Sequence, residues 1–267
     1  MRVILLTATK IYKILRPEEE PLCSRTLLKR APLRARSGKN DKQSEEWVAI
    51  IGYGSLLSKK SAEMTMPSLR HFCPVLVPGY RRCFNLVSIT QIKHGYSNFK
   101  TKEMAAVVAQ PIDKRNDGTV SSPMLASYFE IPKHELDGYY RREARYAFEV
   151  AKVLPWNNDS CKLKDGLCKD EAIICVEYKK GDHDEYVKDM FKGDQKKYHE
   201  AIGQYYDGKL WRNDIFPVEK YLQLCIRGAR EIAGEAGVKN FLETSYLACG
   251  EVSLKEYLER RSDLRKK

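Results

Sequence analysis

The run Val48-Ala49-Ile50-Ile51 stops abruptly at Gly52-Tyr53-Gly54-Ser55-Leu56-Leu57. Four apolar residues, three of them β-branched, read as a buried strand over 47–52. Glycines on either side of a tyrosine read as a tight turn. They adopt backbone conformations closed to other residues and let a ligand approach the main chain. The N–H groups of such a turn can converge on an anion or a carbonyl oxygen. The sequence therefore predicts a ligand site that begins at 52–56.

Two nucleotide motifs come near this pattern and fail. A dinucleotide fingerprint needs a third glycine where Leu57 stands, and an acidic residue after the next strand. That strand, Val75-Leu76-Val77, ends in Pro78-Gly79 instead. The lysine of a phosphate-binding loop is also missing. A nucleophile elbow would need glycines at Tyr53 and Leu57, so Ser55 does not read as a hydrolase serine.

No apolar run approaches the roughly 18 residues of a membrane span, so no membrane partner is expected. The 8 cysteines have no repeated short spacing, and the 5 histidines form no metal-binding pair. The expectation is no metal site and reduced, mostly buried thiols. The net charge of +11 raises the question of nucleic acid. Most of it sits in residues 1–40, which leaves about +4 for the other 227 with signs mixed, so no nucleic-acid partner is expected. Residues 1–46 read as a basic extension, disordered or targeting: basic and Ser/Ala-bearing like a transit peptide, but interrupted by Glu18-Glu19-Glu20. The expected location is cytoplasmic, or organellar if that extension is a transit peptide.

Residues 47–267 read as one domain. A short helix is predicted over 55–64, then strand, turn and strand over 75–85. Further strands are predicted at 104–111, 124–131, 146–154 and 172–178, with a helix at 132–141. Apolar residues three and four apart then predict helices over 186–208, 217–236, 238–248 and 254–264. Pro217 is placed in a first helical turn and Gly237 at a helix end. Strands first and helices afterwards argue for α+β rather than a doubly wound sheet.

A carboxylate is the best candidate for acid–base work. Glu143 lies in Leu136-Asp137-Gly138-Tyr139-Tyr140-Arg141-Arg142-Glu143-Ala144-Arg145-Tyr146, where a helix gives way to a strand. Taken alone, a glutamate among arginines reads as an exposed helix end. Glu130, Glu135 and Glu149 are the neighbouring alternatives, and Tyr128 and Tyr146 could wall a pocket or sit in the core.

Taken together, Tyr53-Gly54-Ser55-Leu56, Pro78-Gly79-Tyr80-Arg81 with Phe84-Asn85, and Leu136-Asp137 with Arg142-Glu143 and Tyr146 resemble the γ-glutamylcyclotransferase-like superfamily, which includes the ChaC-type enzymes. The resemblance spans roughly 47–260. It implies an α+β fold around a small mixed β-barrel with surrounding helices and a helical C-terminal extension. It also implies release of 5-oxoproline from a small γ-glutamyl substrate, without cofactor. Glu143 would be the general acid/base, and Tyr53, Gly54, Ser55 and Leu56 would bind substrate. Leu57-Ser58 stands where ChaC-type enzymes usually have Ile-Trp, so glutathione is one candidate among γ-glutamyl peptides and amines. The alternative is an inactive ligand- or protein-binding member of the same fold.

Overall fold

The computed structural model describes residues 46–112, 122–157, 162–163, 166–167 and 169–261. The basic extension expected at 1–46 lies outside them, apart from Glu46. β1 (Trp47–Gly52) leads into a 3-10 turn, Ser55–Leu57, and the short helix α1 (Lys59–Glu63). β2 (Arg70–Val77) and β3 (Tyr80–Val87) are separated by Pro78-Gly79, with Gly79 at φ 79°. Next come α2 (Ile89–Lys93), β4 (Glu103–Pro111), β5 (Met124–Pro132), α3 (Leu136–Arg142) and β6 (Ala147–Lys152). The short strands β7 (Leu154–Pro155), β8 (Lys162–Leu163) and β9 (Gly166–Leu167) precede β10 (Glu171–Val176). The remainder is α4 (His183–Phe191), α5 (Gln195–Tyr198), β11 (Phe216–Pro217), α6 (Glu219–Glu243), β12 (Ser245–Leu247) and α7 (Leu254–Arg260).

The expected α+β architecture is present, as two curled sheets around one core. The larger has the order β6-β10-β1-β5-β2-β7 and the smaller β11-β4-β3-β12. Both are mixed: β1 runs parallel to β10 and antiparallel to β5, and β12 runs parallel to β3. Glu177 N–H donates to Ala109 C=O at 2.9 Å, joining the end of β10 to β4 of the other sheet. Every residue of β5 is buried, as its place between β1 and β2 requires. Ile50, Leu57, Phe84, Val107, Phe129 and Ile174 form the centre of the core.

Several expectations shift. The strands flanking Pro78-Gly79 do not pair with each other; the turn carries the chain from the larger sheet to the smaller. The helix expected over 186–208 breaks after α4, where Lys192 and Gly193 take φ 53° and 75°. Pro217 lies in β11 rather than in a helical turn. Gly237 does not end a helix: α6 continues to Glu243 and breaks instead at Ala233-Gly234 (φ −144° and 63°). A Cβ on Gly237 would lie 2.5 Å from Ala229 O, so this glycine permits close packing. The helix expected at 238–248 is the end of α6 followed by β12, because 245–247 finds unpaired backbone on β3. Of the described cysteines, Cys83, Cys175 and Cys225 are buried thiols and Cys249 is exposed. No helix of the described residues is long and apolar enough to cross a membrane.

Candidate active site

The turn after β1 is held from three sides. Ser127 Oγ of β5 lies 3.1 Å from Gly52 O and 2.8 Å from Leu56 O. A Cβ on Gly52 would lie 2.6 Å from that hydroxyl oxygen. The main chain therefore closes on β5 only where a side chain is missing. From α6, Gly228 presses against the turn; its Cβ would lie 2.9 Å from both Leu57 Cβ and Ser58 N. From β3, Arg82 Nε donates to Tyr53 O at 2.8 Å. Arg82 is fully buried, and it also donates to Thr244 Oγ1 at 2.8 Å and to Leu125 O. Burial lowers its pKa to about 9, so the guanidinium keeps its charge at neutral pH.

The turn opens on a cavity of about 270 Å³, whose wall continues through Val107 of β4, Tyr221 of α6 and Arg142, Glu143, Arg145 and Tyr146. Inside a 3-10 turn the first N–H groups have no acceptor. Ser55 and Leu56, which open the 3-10 turn, line this wall. Gly54 is required by close approach: a Cβ there would lie 2.6 Å from Tyr221 Oη and 2.8 Å from Val107 Cγ1.

Glu143 caps the C-terminus of α3, its N–H donating to Tyr139 O at 3.0 Å. Its carboxylate is only 14% exposed. Burial pushes its pKa up; the Arg142 and Arg145 guanidiniums pull it back, and the net shift is upward. Arg142 donates through Nε to Glu143 Oε1 at 3.0 Å. Its Nη1 reaches Ser61 O and Thr65 Oγ1, and its Nη2 reaches Ser55 Oγ and Ser61 Oγ, at 2.8–3.2 Å. All five guanidinium N–H donors are thereby engaged. The one contact to Glu143 Oε1 leaves Oε2 for a ligand proton.

Burial also raises the pKa of the Tyr53, Tyr146 and Tyr221 phenols, which therefore stay protonated. Tyr146 Oη donates to Val107 O at 2.9 Å. Cys175 borders the cavity, but burial holds its thiol well above the usual range, and it lies 3.0 Å from Tyr139 Oη, so it does not supply a thiolate.

The five residues singled out in the sequence, Tyr53, Gly54, Ser55, Leu56 and Glu143, all line this one cavity. The alternative glutamates do not. Glu130 is buried against Arg70 at 2.7 Å and Tyr128 at 2.9 Å, Glu135 accepts from Ser68 N–H, and Glu149 is exposed beside Tyr80. Tyr146 walls the cavity and Tyr128 belongs to the core. Arg82, Arg142 and Tyr221 were not legible as site residues. Arg142 sits among charges that read as an exposed helix end, Arg82 lies within a predicted strand, and Tyr221 reads as one apolar position of a helix. Among the described residues no group of three or more His, Cys, Asp or Glu could hold a metal ion.

No family model and no curated protein matches the chain. Solved structures are similar to it at low identity. One described as γ-glutamyl cyclotransferase is 13% identical, with a TM-score of 0.42, over 83% of this chain and 100% of its own. A human protein described as uncharacterized is 15% identical, with a TM-score of 0.44, over 84% and 100%. A yeast structure described as a γ-glutamyl cyclotransferase specific to glutathione is 14% identical, with a TM-score of 0.38, over 75% and 97%. At these values the function of this chain is left to its own residues.

Proposed function

We propose that this protein is a γ-glutamylcyclotransferase, which releases 5-oxoproline from γ-glutamyl peptides or amines. The observation that carries this reading is the placement of a buried carboxylate of raised pKa, Glu143, in one small cavity with the turn 53–56. The reaction is an internal aminolysis. Glu143 takes a proton from the substrate α-ammonium, and the freed amine attacks the γ-carbonyl carbon. A ring C–N bond forms, the ring nitrogen gives up its second proton, the bond to the leaving amine breaks, and that amine departs as an ammonium carrying both protons, one of them delivered by Glu143. No net proton, electron or co-reactant is needed. Because nucleophile and electrophile belong to one molecule, the site mainly has to hold the folded conformer. The turn N–H groups suit the α-carboxylate or the developing oxyanion. A carboxyl shifted upward by burial is better matched to this proton transfer near neutral pH than an ordinary one.

The test is 5-oxoproline production from glutathione, γ-glutamyl-alanine and γ-glutamyl-lysine, with the wild-type protein and Glu143→Gln. Product that depends on Glu143 supports the reading, and the preferred compound defines the substrate. A folded wild-type protein that yields none from any of the three would favour a binding module on the same fold.

A further inference from the structure

Given a cyclotransferase site, two guanidiniums border the cavity and only one is committed to the protein. Arg142 has spent its five N–H donors on Glu143, Ser55, Ser61 and Thr65. Arg145 also lines the cavity, and its Nε is buried without an acceptor. A buried donor left unpaired is unfavourable by an amount comparable to a lost hydrogen bond, and it favours a ligand that supplies the acceptor. The two side chains also serve different walls. Arg142 reaches back to Ser61 of α1 and to Thr65 just after it. Arg145 follows the α3 cap, and its charge acts on Glu143, Tyr146 and Tyr186 of α4.

We propose that Arg145 is a specificity-determining residue that pairs with a carboxylate on the leaving amine, so that γ-glutamyl amino acids and peptides are preferred over γ-glutamyl amines. This rests on the cyclotransferase reading, in which the turn takes the α-carboxylate or the developing oxyanion and Glu143 the α-amine. A carboxylate on the leaving amine is then left without an assigned partner, and of the two arginines among the described lining residues Arg145 is the one whose Nε has no protein acceptor. A guanidinium suits this task because its planar fork can hold a carboxylate through two parallel hydrogen bonds.

The experiment compares γ-glutamyl-alanine with γ-glutamyl-alaninamide, which differ only in the leaving-group carboxylate, for wild type, Arg145→Gln and Arg145→Lys. Wild type is expected to favour the acid on the order of 10- to 100-fold in kcat/KM, mostly through KM. In Arg145→Gln the ratio should fall towards one, and Arg145→Lys should recover part of it. A wild-type ratio near one overturns the proposal. So does a ratio preserved in Arg145→Gln while both substrates slow equally, which would assign Arg145 to the shared γ-glutamyl part or to the scaffold. No 5-oxoproline from either compound with wild type is a distinct result: it overturns this proposal, and it removes the cyclotransferase reading as well where glutathione and γ-glutamyl-lysine also yield none.

Discussion

Arg142 Nη2 lies 3.0 Å from Ser55 Oγ, across 87 positions of sequence, while Nε of the same side chain lies 3.0 Å from Glu143 Oε1. One planar group therefore fixes the spacing between the turn and the carboxylate. The end of α3 brings the arginine and the glutamate together, and Ser61 of α1 and Thr65 just after it complete its shell.

A lysine at this position has three donors on a flexible stem and cannot span the same acceptors. Arg142→Lys is expected to reduce kcat/KM by on the order of 100-fold through lost positioning. Arg142→Gln also removes a cation that holds the Glu143 pKa down, so the acid limb of its kcat/KM profile should move to higher pH than in wild type. Steady-state kinetics from pH 4 to 9 would measure both, and an acid limb unmoved in Arg142→Gln would separate Arg142 from the Glu143 titration.

The raised pKa of Glu143 has consequences of opposite sign for activity and stability. As a base it must be ionised, so kcat/KM should fall as pH drops through its folded value, which lies above the ordinary 4.5. For folding, both states are protonated well below 4.5. Between 4.5 and the folded value the native state keeps a proton that the unfolded chain has released, so stability falls as pH rises. Above the folded value both are ionised and the loss is complete. Glu143→Gln cannot ionise and can still accept from Arg142 Nε. It should therefore gain stability relative to wild type as pH rises through this window while losing activity. Urea midpoints for the two proteins at pH 4 and pH 8 test this; a stability difference equal at both would contradict the shifted carboxyl.

The turn and its glutamate were legible because their signals are local. An apolar β-branched run ending at Gly52 and Gly54 marks a strand and a turn by steric rules alone. Glu143 stands just past the helical pattern read at 132–141, where it gives way to an alternating strand. What lay beyond reach depends on distant partners. Arg82 reads as one of two adjacent arginines on a strand, yet its acceptors Tyr53, Leu125 and Thr244 are 29, 43 and 162 positions away. β12 is three residues long and satisfies helical spacing as well as strand spacing, so only its register on β3 decides. The break at Lys192-Gly193 is a backbone event in a stretch whose apolar pattern continues past it.

Gly54 and Tyr221 make a coupled pair. Gly54→Ala would place a methyl group 2.6 Å from Tyr221 Oη and 2.8 Å from Val107 Cγ1, well inside van der Waals contact. Relief requires the turn or α6 to move, and either displaces the cavity wall. The variant is expected to lose about 1–3 kcal/mol of stability and most of its activity. Tyr221→Phe removes the nearer atom, so the double variant should recover part of the stability lost by Gly54→Ala. A double-mutant cycle in urea measures the coupling, and purely additive effects would show that the turn yields elsewhere.

Arg82 predicts that the site and the core fail together. Its guanidinium is fully buried, packs over Phe241 at 4.6 Å, and donates to two carbonyls and a hydroxyl. Arg82→Met fills similar volume and removes every donor. Tyr53 O and Leu125 O are then left in the core without this partner, at about 1–3 kcal/mol for each orphaned acceptor. The expected loss is about 3 kcal/mol or more, read as a lower urea midpoint with an unchanged slope. Because Tyr53 O belongs to the turn, activity should fall beyond what the unfolded fraction explains, under conditions where the variant remains folded. Arg82→Lys keeps a charge but reaches fewer acceptors, so it should lie between the two in both measurements. A stable Arg82→Met protein with wild-type kinetics would mean that Ser127 and Gly228 suffice to hold the turn.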